Sequence, residues 1–221
     1  KNLYANTVCY RQSQRLIADE TDIFSWTYYS KYNALKESIS NTFERTSIPM
    51  LCAKLNGLFY ENTNTLNKIK KTLNEYGIKF LVQEKQGQIP LDGMSYMEGA
   101  TPVIVLTLRH KQLDRIAFSL FHELGHIYTH LIKDSANMML NVGEKDIKEK
   151  EADKFATDML ISPQIWRDFS NATYRVSRYQ IEPYITSFSN EYKIHKSILS
   201  GRYMHEIDNF KLRIKTDNIL H

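Results

Sequence analysis

The chain has 221 residues, 42% hydrophobic and 24% charged, with 29 basic against 25 acidic side chains and a net charge of +4. That length can bury a sizeable core, while 8 Gly and 5 Pro exclude collagen-like and low-complexity classes. The charge is too mild to argue for nucleic acid by itself, and no apolar run approaches a membrane span.

Two cysteines, Cys9 and Cys52, build no disulfide framework. With no charged-then-apolar leader, the expected compartment is the reducing cytoplasm. A first residue of Lys1 rather than Met predicts a piece of a longer protein.

Residues 1–63 read as a helical, tyrosine-rich connector. Trp26, Tyr29, Tyr32, Leu35 and Ile39 recur at roughly helical spacing, and Ile48 to Phe59 adds an apolar run around Pro49 and Gly57. A better signed helix follows. Asn62, Thr63 and Asn64 offer caps, Leu66, Ile69, Leu73 and Tyr76 form the stripe, and Gly77 stands at the stop. Ile78 to Gln83 reads as a strand with Ile78, Phe80 and Val82 on one face. Met94 to Glu98 and Val103 to Leu108 predict a hairpin turned at Gly99–Pro102. Val103 to Leu108, just before the next helix, is expected to be an exposed edge strand to which an extended peptide could pair.

Helices then resume to the end of the chain. Helices, small sheet, helices is the α+β pattern, with a small mixed or antiparallel sheet and helical N-terminal and C-terminal segments. The expected division is 1–63, 64–165 and 166–221.

From Asp114 to about Leu131 the apolar residues Leu113, Ala117, Leu120, Leu124, Ile127 and Leu131 step by four and three, which predicts a helix buried along one stripe. Beside that stripe stands His122-Glu123-Leu124-Gly125-His126. Two histidines four apart project from one side of a helix and can share one metal ion. Glu123 can reach the ion's open position without being a ligand, and there take a proton from water.

A catalytic zinc wants a third protein ligand. His130 is unsuitable, because it lies about 12 Å along the axis from His122; it reads as a helix-end residue or a support for another. The next helix, Glu149 to Ile161 before Pro163, buries Ala152, Phe155, Ala156, Met159 and Leu160. At about 100° per residue, Glu149 falls in line with Ala156 and Leu160 and points inward, while Glu151 points toward water. Asp153, one turn beyond Glu149, can orient a ligand histidine.

These motifs resemble the ImmA/IrrE family of zinc metallopeptidases. The resemblance rests on Phe118-Ser-Leu-Phe before His122–His126, on Glu149-x-x-Ala152-Asp153-x-Phe155-Ala156, and on Leu160-Ile-Ser-Pro163. It extends through Gly77-Ile-Lys-Phe, Asp92-Gly93 and Pro102-Val-Ile-Val to cover residues 64–165, and more loosely 182–206. One departure is Ile161-Ser162-Pro163 in place of the family's more usual Leu-Met-Pro. The resemblance implies a zincin-like fold, zinc held by His122, His126 and a gluzincin-like third ligand Glu149, and Glu123 as the base.

It further implies a helix-turn-helix repressor or a toxin–antitoxin partner as the protein target, in settings such as mobile-element transfer. Residues 1–63, with Arg11-Gln-Ser-Gln-Arg15 and Trp26, resemble the helical connector of two-part members. DNA contact is therefore expected only through a domain preceding Lys1, and no membrane contact is expected.

For the electrophile facing a developing oxyanion, Tyr96, Arg109, His110, Tyr174, Tyr179 and His205 stay open. Tyr128, two residues past His126, faces elsewhere. The leading expectation is a zinc-dependent endopeptidase that cuts a regulatory protein in a flexible segment. The alternatives are a non-enzymatic antitoxin-like or transcriptional regulator with a structural or vestigial zinc site, and a hydrolase of small amides.

Overall fold

The computed structural model describes residues 8–12, 20–84, 89, 91–109, 111–131, 142–212 and 214–221, with backbone alone at 8–12, 20 and 142–146. Arg15 and His110 lie outside the described residues. Among the described residues the fold is α+β, a four-stranded mixed sheet between one helix and a larger group of helices.

The strands are β1 (Val8–Gln12), β2 (Lys79–Val82), β3 (Leu91–Glu98) and β4 (Thr101–Leu106), in the order β1-β3-β4-β2. β3 and β4 form the expected antiparallel hairpin, turned at Gly99, and β2 joins β4 in parallel. Two expectations are corrected here. The segment carrying Arg11 is not helical at Val8–Gln12; it is a strand paired antiparallel to β3. And β4 is not an edge, because β3 and β2 occupy both of its sides. Its run Pro102-Val-Ile-Val-Leu106 is buried on both faces, the pattern of an interior strand rather than an edge.

Helix α1 (Glu20–Lys36) covers one face of the sheet. Its buried stripe is Trp26, Ser30 and Ala34, set against Leu81, Leu91, Met94, Tyr96, Val103 and Val105. The stripe expected from Tyr29, Tyr32 and Leu35 is instead exposed by 43%, 52% and 55%. Aromatic and leucine spacing marked the wet side of α1, since a single tryptophan with small neighbours fits closer to a flat sheet. Replacing Trp26 with alanine removes the largest side chain of this layer and should cost about 3–5 kcal/mol in chemical denaturation.

The other face carries α2 (Ile48–Glu61), α3 (Thr65–Glu75), α4 (Leu113–His126), α5 (Val142–Leu160), α6 (Pro163–Thr173), α7 (Glu182–Tyr192) and α8 (Lys196–Glu206). Phe80, Ile104 and Leu106 from the sheet meet Leu55, Phe59, Leu120, Phe121 and Leu124 in the main core. Gly77, at φ +73, ends the α3 segment as expected and leads into β2.

Helices do not run to the end of the chain. After Glu206 the chain turns, with Asp208 at φ +46, and its last residues, outside any helix, tie the starts of two helices: Leu113 N–H donates to Asn218 O, Asp114 N–H to Asn218 Oδ1, and Thr65 N–H to His221 O. These are amide groups that a helix cannot satisfy internally, so the tail gains backbone partners that another helix would not offer. None of the described helices is long and apolar enough to cross a membrane.

Candidate metal centre

The site is built where α4 crosses α5, under β3. The crossing is close because both helices carry small residues at the contact. A Cβ on Gly125 would sit 3.1 Å from Ala152 Cα and 3.2 Å from Ala152 O, both backbone atoms of α5. That proximity sets Glu149, one turn before Ala152, opposite His122 and His126.

Glu149 Oε2 lies 3.3 Å from His122 Nε2, Glu149 Oε1 lies 3.4 Å from His126 Nε2, and the two imidazole Nε2 atoms are 3.0 Å apart. A tetrahedral ion with bonds of 2.0–2.1 Å separates its ligand atoms by about 3.3 Å. Among the described residues these three form the group able to hold a metal ion.

The hydrogen bonds around them fix the chemistry of the donor set. His122 Nδ1–H donates to Asp153 Oδ1 at 2.8 Å, which leaves its Nε2 lone pair facing inward. His130 Nε2–H donates to Glu151 Oε2 at 2.8 Å, so a neutral His130 accepts at Nδ1 from His126 Nδ1–H at 3.2 Å. Burial, opposed by Glu151, lowers the His130 pKa and favours that neutral form. His126 Nε2 therefore also keeps its lone pair. Three acceptors face one another with no proton between them, an arrangement that a cation satisfies.

Burial pushes the Glu149 pKa up, and protonated imidazoles at His122 and His126, whose positive charge a bound cation would replace, outweigh it and bring it to about 2. The carboxylate stays charged and ready to bind a cation.

Glu123 is fully buried beside this set and points to β3. Ser95 Oγ–H donates to its Oε2 at 2.6 Å. Its Oε1 has no hydrogen-bond partner among the described residues, and lies 3.1 Å from where a Cβ on Gly93 would stand. Burial raises its pKa above the usual carboxylate range, against the downward pull of His122, His126 and Ser95. A carboxyl held so, with one free oxygen, is suited to accept and return a proton.

His122, His126, Glu149 and Glu123 are thus brought together, and Asp153 reaches His122. Glu151 is exposed yet hydrogen-bonded to His130, so it does more than face solvent. Spacing alone did not single out Ser95, whose only signal is a small polar residue alternating with Met94 and Tyr96. The contact of His130 with His126 follows from their spacing of four, and the chain at His130 belongs to a π-helical turn, Ile127–Leu131, that continues α4. There Thr129 Oγ–H donates to Gly125 O at 2.6 Å and competes for the helical carbonyl.

The candidate electrophiles are dispersed. Tyr96 packs on the α1 side of the sheet, Arg109 pairs with Asp92 at 2.8 Å, and Tyr174 and Tyr179 are exposed. His205 stacks edge-on with Phe210, while Tyr128 stacks with Phe155 and under Arg45.

Gly125→Ala should weaken metal binding about tenfold in competition with a chromogenic chelator, because its new methyl meets α5 backbone that cannot yield without moving Glu149. Gly57→Ala, whose Cβ would meet nothing within 4 Å, is the matched control and should leave affinity unchanged.

No curated protein and no solved structure matches the chain significantly. The model of the peptidase family Peptidase_M78, described as the IrrE N-terminal-like domain, matches residues 74–199, from the end of α3 into α8, with β3, β4 and the whole candidate centre inside it. On this match over more than half its length, and with the site residues converging as they do, the chain belongs to the Peptidase_M78 family.

Proposed function

We propose that this protein is a zinc-dependent endopeptidase that cuts a regulatory protein in a flexible segment. The observation that carries the reading is the buried carboxyl of Glu123, with one oxygen unpartnered among the described residues, beside three inward-facing acceptors on His122, His126 and Glu149.

His122, His126 and Glu149 would hold the ion, and zinc, when bound, supplies Lewis acidity toward water and the scissile carbonyl. Two nitrogens and one oxygen suit zinc among the divalent metals. Asp153 and the His130–Glu151 pair keep both imidazoles in the tautomer that presents Nε2. Ser95 holds one oxygen of Glu123, so the other is free to take a proton from the attacking water and pass it to the leaving amine. Burial keeps that proton on Glu123 long enough to be delivered rather than lost to solvent.

A helix-turn-helix repressor or a toxin–antitoxin partner as target is supported by the ImmA/IrrE resemblance, as is a cytoplasmic setting by the cysteine usage. Elemental analysis of protein purified without added metal tests the centre and should return about one zinc per chain. A protein without zinc that also takes none up on addition would remove the proposal.

A further inference from the structure

Of the strands, β3 is the one beside Glu123, through Ser95 and Gly93. Its inner side pairs with β4. Its outer side would be the free edge nearest the site, yet Val8–Gln12 pairs there, from a part of the chain some eighty residues earlier. The register sets Cys9 opposite Ser95 and Arg11 opposite Gly93, the same two residues that reach Glu123. β1 also lies against α4, the helix that carries His122 and His126. The ladder is irregular between Arg11 and Gln12, where Gln12 falls opposite Leu91.

An extended chain on that edge runs one strand spacing, about 4.8 Å, from β3 and alongside the base. Any peptide with free backbone N–H and C=O groups can make the same ladder, whereas a helix or an interior strand cannot.

We propose that the outer edge of β3 is the seat of an extended peptide substrate, and that the chain's own Val8–Gln12 holds this seat until a substrate displaces it. The proposal rests on the peptidase reading given above. A tethered strand competes at an effective concentration of roughly millimolar, so short free peptides are turned over slowly while β1 is seated. A protein target that offers a long flexible segment, or that draws off β1 by binding elsewhere, gains access.

The test uses the full chain and its Cys9→Pro/Tyr10→Pro variant. Successive strand amides alternate in direction, so one of these two prolines removes an N–H that faces β3. Amide hydrogen exchange over 91–98 is followed with and without a synthetic peptide of residues 6–14. In the variant these amides should exchange at least tenfold faster and regain protection when the peptide is added; in the unaltered chain the peptide should change nothing. Unchanged protection in the variant, or exposed amides that the peptide leaves exposed, overturns the proposal.

A second arm measures cleavage of dye-labelled unfolded casein by the zinc-loaded proteins, where the variant should be at least tenfold faster. Equal, measurable rates also overturn the proposal. Absence of cleavage by both, with the exchange arm as expected, defeats the peptidase reading alone, because peptide seating does not depend on turnover.

Discussion

Replacing Glu123 with glutamine is expected to lower peptide-bond cleavage by about two to four orders of magnitude while metal content stays at its unaltered level. The amide keeps the size of the side chain and can still accept from Ser95 Oγ–H at 2.6 Å, so the pocket under β3 keeps its shape. What is lost is the ability of the free oxygen to take a proton.

The same substitution should raise the melting temperature of the metal-free protein at neutral pH. Burial raises the carboxyl's pKa, so the folded state favours its protonated form. Above the ordinary carboxylate pKa the unfolded chain gives up that proton more readily, and the group's effect turns against folding as pH rises. Glutamine removes that cost. A cleavage rate equal to that of the unaltered protein would remove the base from the mechanism; an unaltered biological effect with no cleavage would point to a regulator that works by binding.

Removal of Glu149 should have the largest effect on the metal. Glu149→Ala leaves two imidazole nitrogens and an open side toward α5, and metal affinity should fall by more than about a hundredfold. Asp153→Ala and Glu151→Ala act through the imidazoles that they orient, and each should cost about tenfold to a hundredfold at most, with Asp153 the larger because it bonds a metal-facing histidine directly. Equilibrium dialysis against zinc buffers orders the three. An order in which Glu151 exceeds Glu149 would assign the third ligand to the wrong carboxylate.

Much of this centre was legible in the primary structure. A spacing of four on one helix puts His122 and His126 on one side of α4 whatever surrounds them. An inward carboxylate one turn before Ala152 needed only the apolar face of α5 to be recognised. The hairpin was legible because Met94 to Glu98 and Val103 to Leu106 are strand-like runs with a glycine turn between them.

Other features were not legible because they depend on contacts distant in sequence. Tyr29, Tyr32 and Leu35 have helical spacing but lie on the outer side of α1, and periodicity alone does not say which side meets the sheet. Val103 to Leu108 reads as a strand in either an edge or an interior position; pairing with β2 on one side and β3 on the other made it interior. The end of the tail, at Asn218 and His221, lies outside any helix where it meets amides at the starts of α3 and α4 that those helices cannot satisfy, a need recorded in the helices and not in the tail.

The sequence by itself determined the local part of the chemistry: helix-borne groups whose separation is set by the rise and twist of one helix, namely His122, Glu123 and His126. Only the tertiary structure decided what depends on how elements meet. Gly125 against Ala152 let α5 come close enough for Glu149 to face both histidines, and β3 brought Ser95 and Gly93 to the base. The pairing of Val8–Gln12 on that strand belongs to the same class, because no short turn joins the two strands and their meeting spans some eighty residues of sequence.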